Sequence, residues 1–293
     1  RLMNGAYQIR AYGIDQLDRK AFTGLPGDRE FRGGVETKGQ FALNDKWVWG
    51  WDGVLLSDYY FMSDYRLAQY RDPLGSFLNL PTDALSQLYL TGVGNRSFFD
   101  ARTMYWLSFS GNQDKVPVVY PVIDYSNVLN YPVFGGEFSY KTNFVNLSRD
   151  TAVFDPITTL ANTNGLCATA SADPLARTPS QCLLRGFPGT YTRLTAEAQW
   201  RKSYTDPFGE IWTPFAILRA DAINSEVSNQ PGVSNYLPIG DTQAFRLMPT
   251  VGLEYRYPFI NVQPWGSTTV EPIAQIIIRP NETYAGKLPN EDA

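Results

Sequence analysis

The patterned segments of this chain repeat with a period of two, and that feature limits the folds open to it more than any other. From Phe31 to Leu43 the odd positions are Phe31, Gly33, Val35, Thr37, Gly39, Phe41 and Leu43, whereas the even ones include Arg32, Glu36, Lys38 and Gln40. Leu194, Ala196, Ala198 and Trp200 likewise oppose Arg193, Thr195, Glu197, Gln199 and Arg201. A third segment sets Phe245, Leu247, Val251, Leu253, Tyr255 and Tyr257 against Arg246, Thr250, Glu254 and Arg256. Residues 137–144 and 270–279 follow the same rule. A helix would need apolar residues at i, i+3 and i+4, so the expected fold is all-β.

Composition agrees. Gly and Pro number 24 and 20 in 293 residues, too many breakers for a helical bundle, and the aromatic content of 14% is too high for a disordered chain. There is no histidine, which removes Ser-His-Asp catalysis, His-ligated zinc or haem, and the usual pH switch. No paired carboxylates stand out as an acid–base couple, so neither enzyme chemistry nor a cofactor is expected. A sequence pI near 5.0 without basic runs argues against a nucleic-acid partner.

Eleven strands are expected, near 2–14, 30–43, 47–60, 85–93, 99–110, 120–129, 136–148, 190–203, 211–224, 243–257 and 268–279. The links between them alternate short and long, as in an outer-membrane barrel with tight periplasmic turns and long extracellular loops. Residues 1–293 are read as one domain, an antiparallel transmembrane β-barrel segment. No apolar run reaches 18 residues, which excludes a membrane-spanning helix and leaves barrel strands open.

Two further patterns favour a membrane wall over a soluble sandwich. Trp47, Trp49, Trp51, Trp200, Trp212, Tyr255 and Tyr257 gather at the short-link ends, as an interfacial aromatic girdle would. Arg32, Glu36, Lys38, Lys141, Arg193, Glu197, Arg201, Arg219, Asp221, Arg246, Glu254, Arg256 and Glu271 fall on the opposite, lumen-facing set. A packed core could not hold so many charges without a heavy desolvation penalty, whereas a water-filled lumen hydrates them. The near balance of signs suggests cross-strand ion pairs.

Smaller features read as structure. Gly92 to Ser97 is a hairpin turn, since no helix pattern follows it. Asp58, Asp64 and Asp72 fit no calcium-loop spacing and read as a solvated loop face. Cys167 and Cys182 read as a disulfide stapling one long link, which implies an oxidising compartment. Pro214, Pro249 and Pro272 fall within expected strands, where each removes a ladder donor, and are read as bulges.

Specific strings then carry a resemblance. Arg1 to Ala11 (RLMNGAYQIRA) with Asp15-Gln16, the run Glu271 to Gln275 (EPIAQ) and Leu288 to Asp292 (LPNED) resemble the LptD family of outer-membrane lipopolysaccharide-assembly proteins, in its alphaproteobacterial type. The resemblance implies an arc of a larger barrel that inserts lipopolysaccharide into the outer leaflet of a Gram-negative outer membrane. It also implies an LptE-like lipoprotein plug, an LptA-like periplasmic bridge reached through a periplasmic domain, and contact with outer-membrane lipids. A porin or receptor barrel is the alternative, and a soluble β-rich glycan-binding module a more distant one.

Overall fold

A computed structural model describes residues 4–67, 83–109, 112–156, 182–281 and 288. In chain order the strands are β1 (Gly5–Asp15), β2 (Phe31–Ala42), β3 (Trp47–Leu56), β4 (Asp83–Val93), β5 (Ser97–Ser108), β6 (Val118–Val128), β7 (Glu137–Arg149), β8 (Val153–Pro156), β9 (Cys182–Gly186), β10 (Gly189–Arg201), β11 (Tyr204–Thr205), β12 (Ile211–Val227), β13 (Gly240–Arg256), β14 (Phe259–Gln263), β15 (Gly266–Val270) and β16 (Ile273–Ile278). One four-residue helix, α1 (Phe61–Asp64), follows β3.

Eleven of these strands form one antiparallel meander in the order β1-β2-β3-β4-β5-β6-β7-β10-β12-β13-β16, with β11 paired to β12. Each neighbour in the sheet is the next long strand in the chain, across short and long links alike, which makes every pairing antiparallel. Strands β1 and β16 are the two edges and do not pair with each other, so the sheet is an open arc. Each of the eleven expected strands is present, most of them within three residues of the predicted ends.

The last strand departs furthest. Residues 266–270 do not join the wall; they pair with 259–263 as the separate β14–β15 hairpin, and the wall resumes only at Ile273. The short link expected between strands 243–257 and 268–279 is therefore a complete hairpin reaching from 257 to 272. The prolines differ as well. Pro214 and Pro249 sit in β12 and β13, whose register runs from Ile211 opposite Arg256 to Val227 opposite Gly240 without a shift. Each loses one donor and leaves the ladder straight; the register shifts fall elsewhere, between Arg102 and Met104 in the β5–β6 pairing and between Val119 and Val122 in the β6–β7 pairing.

The two faces of the sheet are inverted relative to a soluble protein. Asp221 and Arg32 are fully buried, while Phe245 and Leu55 on the other face are 65% and 74% exposed. At the long-link end an apolar cluster covers the charged face. Val119, Val145, Leu147, Tyr191, Ile223, Val227 and Ala244 from the strands meet Ala152, Phe187, Val233 and Leu237 from the links. Ala152, Phe187 and the 228–239 link thus pack over the face that carries the charges.

Candidate functional site: the charged face and its girdle

Registers place the predicted charges on one face. Lys141 stands opposite Glu197, Glu197 opposite Arg219, and Asp221 opposite Arg246. In β2, Lys38 stands opposite Asp52, whose other neighbour is Gln87. Arg32, Glu36, Lys38, Lys141, Arg193, Glu197, Arg201, Arg219, Asp221, Arg246, Glu254 and Arg256 all share this surface because period-two alternation leaves them no other. Glu271 lies outside the strands, just before β16, and reaches the same set through Arg256 at 3.4 Å.

The charges are wired across strands. Asp221 accepts from the Thr195 hydroxyl at 2.6 Å, from Arg219 at 3.1 Å and from Arg246 at 2.7 Å. Arg193 donates to Asn143 Oδ1 at 2.9 Å, and Asn143 Nδ2 donates to Asp124 at 2.7 Å. Lys141 meets Glu197 at 3.0 Å, and Glu137 takes both Arg96 and Arg201 at 2.9 Å. Five strands, β6, β7, β10, β12 and β13, are thereby linked by polar side chains as well as by backbone ladders. Among the described residues no cluster of acidic or sulfur side chains has the makings of a metal site.

The aromatics behave as a second set, on the opposite face and at the short-link end. Trp47 packs on Phe99 at 5.3 Å, Phe41 stacks on Trp49 at 5.4 Å and on Trp51 at 5.8 Å, and Trp212 meets Tyr255 at 4.6 Å. Two glycines make room for this packing. A Cβ at Gly92 would stand 2.7 Å from the Trp47 ring, and one at Gly39 would fall inside Trp51. Polar tips find partners: Trp51 Nε1 donates to Thr37 at 3.0 Å, Trp200 Nε1 to the Val133 carbonyl at 2.8 Å, and the Tyr255 hydroxyl to Glu210 at 3.1 Å. Tyr257 lies one residue past β13 and packs at a tilt against Phe259 instead.

One group of site residues was misread from sequence. Asp58 is buried rather than solvated, and it and the exposed Asp64 close on Arg32, whose Nε and Nη2 donate to Asp58 at 2.8 and 2.7 Å while Nη2 also reaches Asp64 at 2.8 Å. The guanidinium lies beneath the rings of Phe22 at 4.9 Å, Tyr65 at 5.2 Å and Phe61 at 5.8 Å. Gln16 ties the same region together, donating to the carbonyls of Gly27 and Arg29 and accepting from the Tyr65 hydroxyl at 3.0 Å. Links 16–30 and 57–67 are therefore one clasp around one buried arginine. The sequence shows an arginine at the long-link end of β2 and acids in the next long link, but carries no signal that they meet. Asp72 and Cys167 lie outside the described residues, and the expected disulfide with them; Cys182 opens β9.

The clasp has an acid limit. Burial alone would raise the Asp58 carboxyl, but hydrogen bonds from Arg32 and Ser57, with the charge of Arg32, outweigh it and hold the group below the ordinary carboxylate value of 3.8. A depressed folded value means stability that is present above the unfolded pKa and is lost as pH falls through the folded one. Hydrogen exchange across 16–30 and 57–67, corrected for intrinsic rates, should show constant protection from neutral pH down to roughly 5 and falling protection below about 4. Unchanged protection at pH 3 would contradict the assignment.

No curated protein matches the chain. A family model described as LptD, LPS transport system D, matches residues 30–293, which takes in every wall strand from β2 to β16. The family is one of transport and assembly, its seat is the outer membrane and its cargo is lipopolysaccharide, handled together with the other components of the Lpt system. A sheet with charges on one face, exposed apolar residues on the other and aromatics at one rim is the architecture such a barrel requires. The chain belongs to the LptD family of outer-membrane lipopolysaccharide-transport proteins.

Proposed function

We infer that residues 1–293 act as a single unit, an arc of barrel wall whose charged face lines the passage for the saccharide of lipopolysaccharide as it enters the outer leaflet. The observation that carries this reading is the inversion of the two faces, with Asp221 fully buried and Phe245 two-thirds exposed on neighbouring strands. In water such an arrangement would leave the apolar residues unburied; in a bilayer it satisfies both faces, because lipid covers one and a hydrated lumen the other. The ion pairs along the lumen side hold a polar surface of mixed sign that wets sugars without trapping one charge. Trp47, Trp49, Trp51, Trp200, Trp212, Tyr255 and Tyr257 form the interfacial rim at the periplasmic side.

On this reading the same lumen face receives the LptE-like lipoprotein plug, and an LptA-like bridge delivers cargo through the family's periplasmic domain. Photo-crosslinking in cells tests it. A photoreactive residue at Ser139 or Thr250, on the charged face, is expected to capture lipopolysaccharide or the lipoprotein partner, whereas one at Leu247, on the apolar face, should capture phospholipid. Capture of lipopolysaccharide sugars from Leu247 and not from Thr250 would reverse the assignment of faces.

A further inference from the structure

The link between β13 and β16 is the one place where the short-link end is not short. Residues 257–272 leave the wall, run out as β14, turn at Pro264-Trp265 and return as β15. The neck is closed by Tyr257 N–H donating to the Pro272 carbonyl at 3.1 Å and by Arg256 against Glu271 at 3.4 Å. Among the described residues the hairpin pairs with no other strand, so both of its outer edges are open. With five residues a side it extends roughly 17 Å.

The hairpin is both uncharged and open. From Tyr257 to Val270 there is no charged side chain, although 18% of the protein is charged. Ile260, Val262 and Trp265 are 68%, 72% and 82% exposed, and Phe259 and Val270 are also open. Three environments could receive such an element. Bulk water would leave the apolar side chains unburied. The hydrocarbon core would strip water from the unpaired backbone groups of both open edges, at several kcal/mol for each. The headgroup zone satisfies both, giving water to the main chain and an apolar bed to the rings.

Continuity with the rim selects the third. Trp212 and Tyr255 meet at 4.6 Å on the apolar face, and two residues on from Tyr255, Tyr257 packs at a tilt on Phe259 at 4.2 Å, carrying the aromatic column off the wall and onto the hairpin. We propose that the β14–β15 hairpin is a foot that seats on the phospholipid headgroups of the leaflet at the short-link side, the periplasmic one, with Trp265 as its leading contact. The proposal rests on the assignment of the apolar face to lipid. Because the foot is uncharged, its seating does not depend on salt or on anionic lipid, which separates it from a basic patch.

The test uses full-length protein reconstituted in vesicles of phosphatidylethanolamine and phosphatidylglycerol, as wild type, Trp265→Phe and Trp212→Phe. The emission lost in each variant isolates that tryptophan. Expected for Trp265 is quenching by a headgroup nitroxide comparable to that of Trp212, weak quenching by bromine deep in the acyl chains, and no change when the anionic lipid is omitted. Quenching of Trp265 by aqueous iodide alone would place the hairpin in water, and quenching by none of the three would bury it against protein; either overturns the proposal. If Trp212 also escapes the lipid quenchers, the assignment of the apolar face to lipid fails instead.

Discussion

Replacing Arg32 by Met is expected to loosen the clasp between residues 16–30 and 57–67 by about 3–5 kcal/mol, the usual effect of removing one partner from a buried ion pair. Arg32 is wholly buried and the Asp58 side chain 1% exposed, so the carboxylate left behind would have neither counter-charge nor water. It would also lose the two parallel hydrogen bonds that only a guanidinium fork can supply, so Arg32→Lys should recover little. The double variant Arg32→Met/Asp58→Leu should regain most of the loss, since apolar residues of similar volume often replace a buried pair at no net cost. Hydrogen exchange on the amides of both links measures all three. An Arg32→Met protein with unaltered protection would show that the rings of Phe22, Phe61 and Tyr65 hold the links without the charge.

The second large effect concerns the wall itself. Leu247 and Thr250 are three residues apart in β13 and point to opposite faces, Leu247 beside Ala220 and Thr250 beside Ile217. A lysine at 247 would project from the apolar face near mid-strand, where a cation in the bilayer costs roughly 2–4 kcal/mol. The same lysine at 250 would enter the charged face and be hydrated. Assembly into the outer membrane, read by heat-modifiable gel mobility, should fall for Leu247→Lys and remain near wild type for Thr250→Lys. Equal assembly of the two would mean that neither face meets lipid, and with it the membrane reading of this sheet would fall.

The wall was legible from the sequence because a membrane enforces the period of two on every strand that crosses it. In β2, β10 and β13 the charged residues grouped by alternation share one face of the sheet, since a slip of one position would move Arg246 or Glu254 to the apolar side. Link conformation has no such enforcer. Nothing in the spacing of Arg32 and Asp58 says that they meet, because the contact depends on how links 16–30 and 57–67 fold over one another. The β14–β15 hairpin departs from expectation for a related reason: the alternation of 270–279 runs straight on from the β-prone residues 268–270, and only the strand that each part pairs with distinguishes hairpin from wall. The aromatic rim was visible as a crowding of Trp and Tyr, but the pairing of Trp47 with Gly92 needed the β3–β4 register to become apparent.

On the proposed orientation, with the aromatic rim at the periplasmic side, the long-link end is the face turned away from the cell. Thr151 N–H donates to the Asp114 carbonyl, Arg149 to the carbonyls of Lys115 and Phe187, and Gln230 to the Asp150 carbonyl. Three links distant in sequence are thereby sewn into one surface on which Lys115, Asp150 and Asn229 are all exposed. On that orientation, an antibody that binds across Lys115, Asp150 and Asn229 reads a composite epitope, so a peptide copied from the sequence around any one of them would not compete with the folded protein for it.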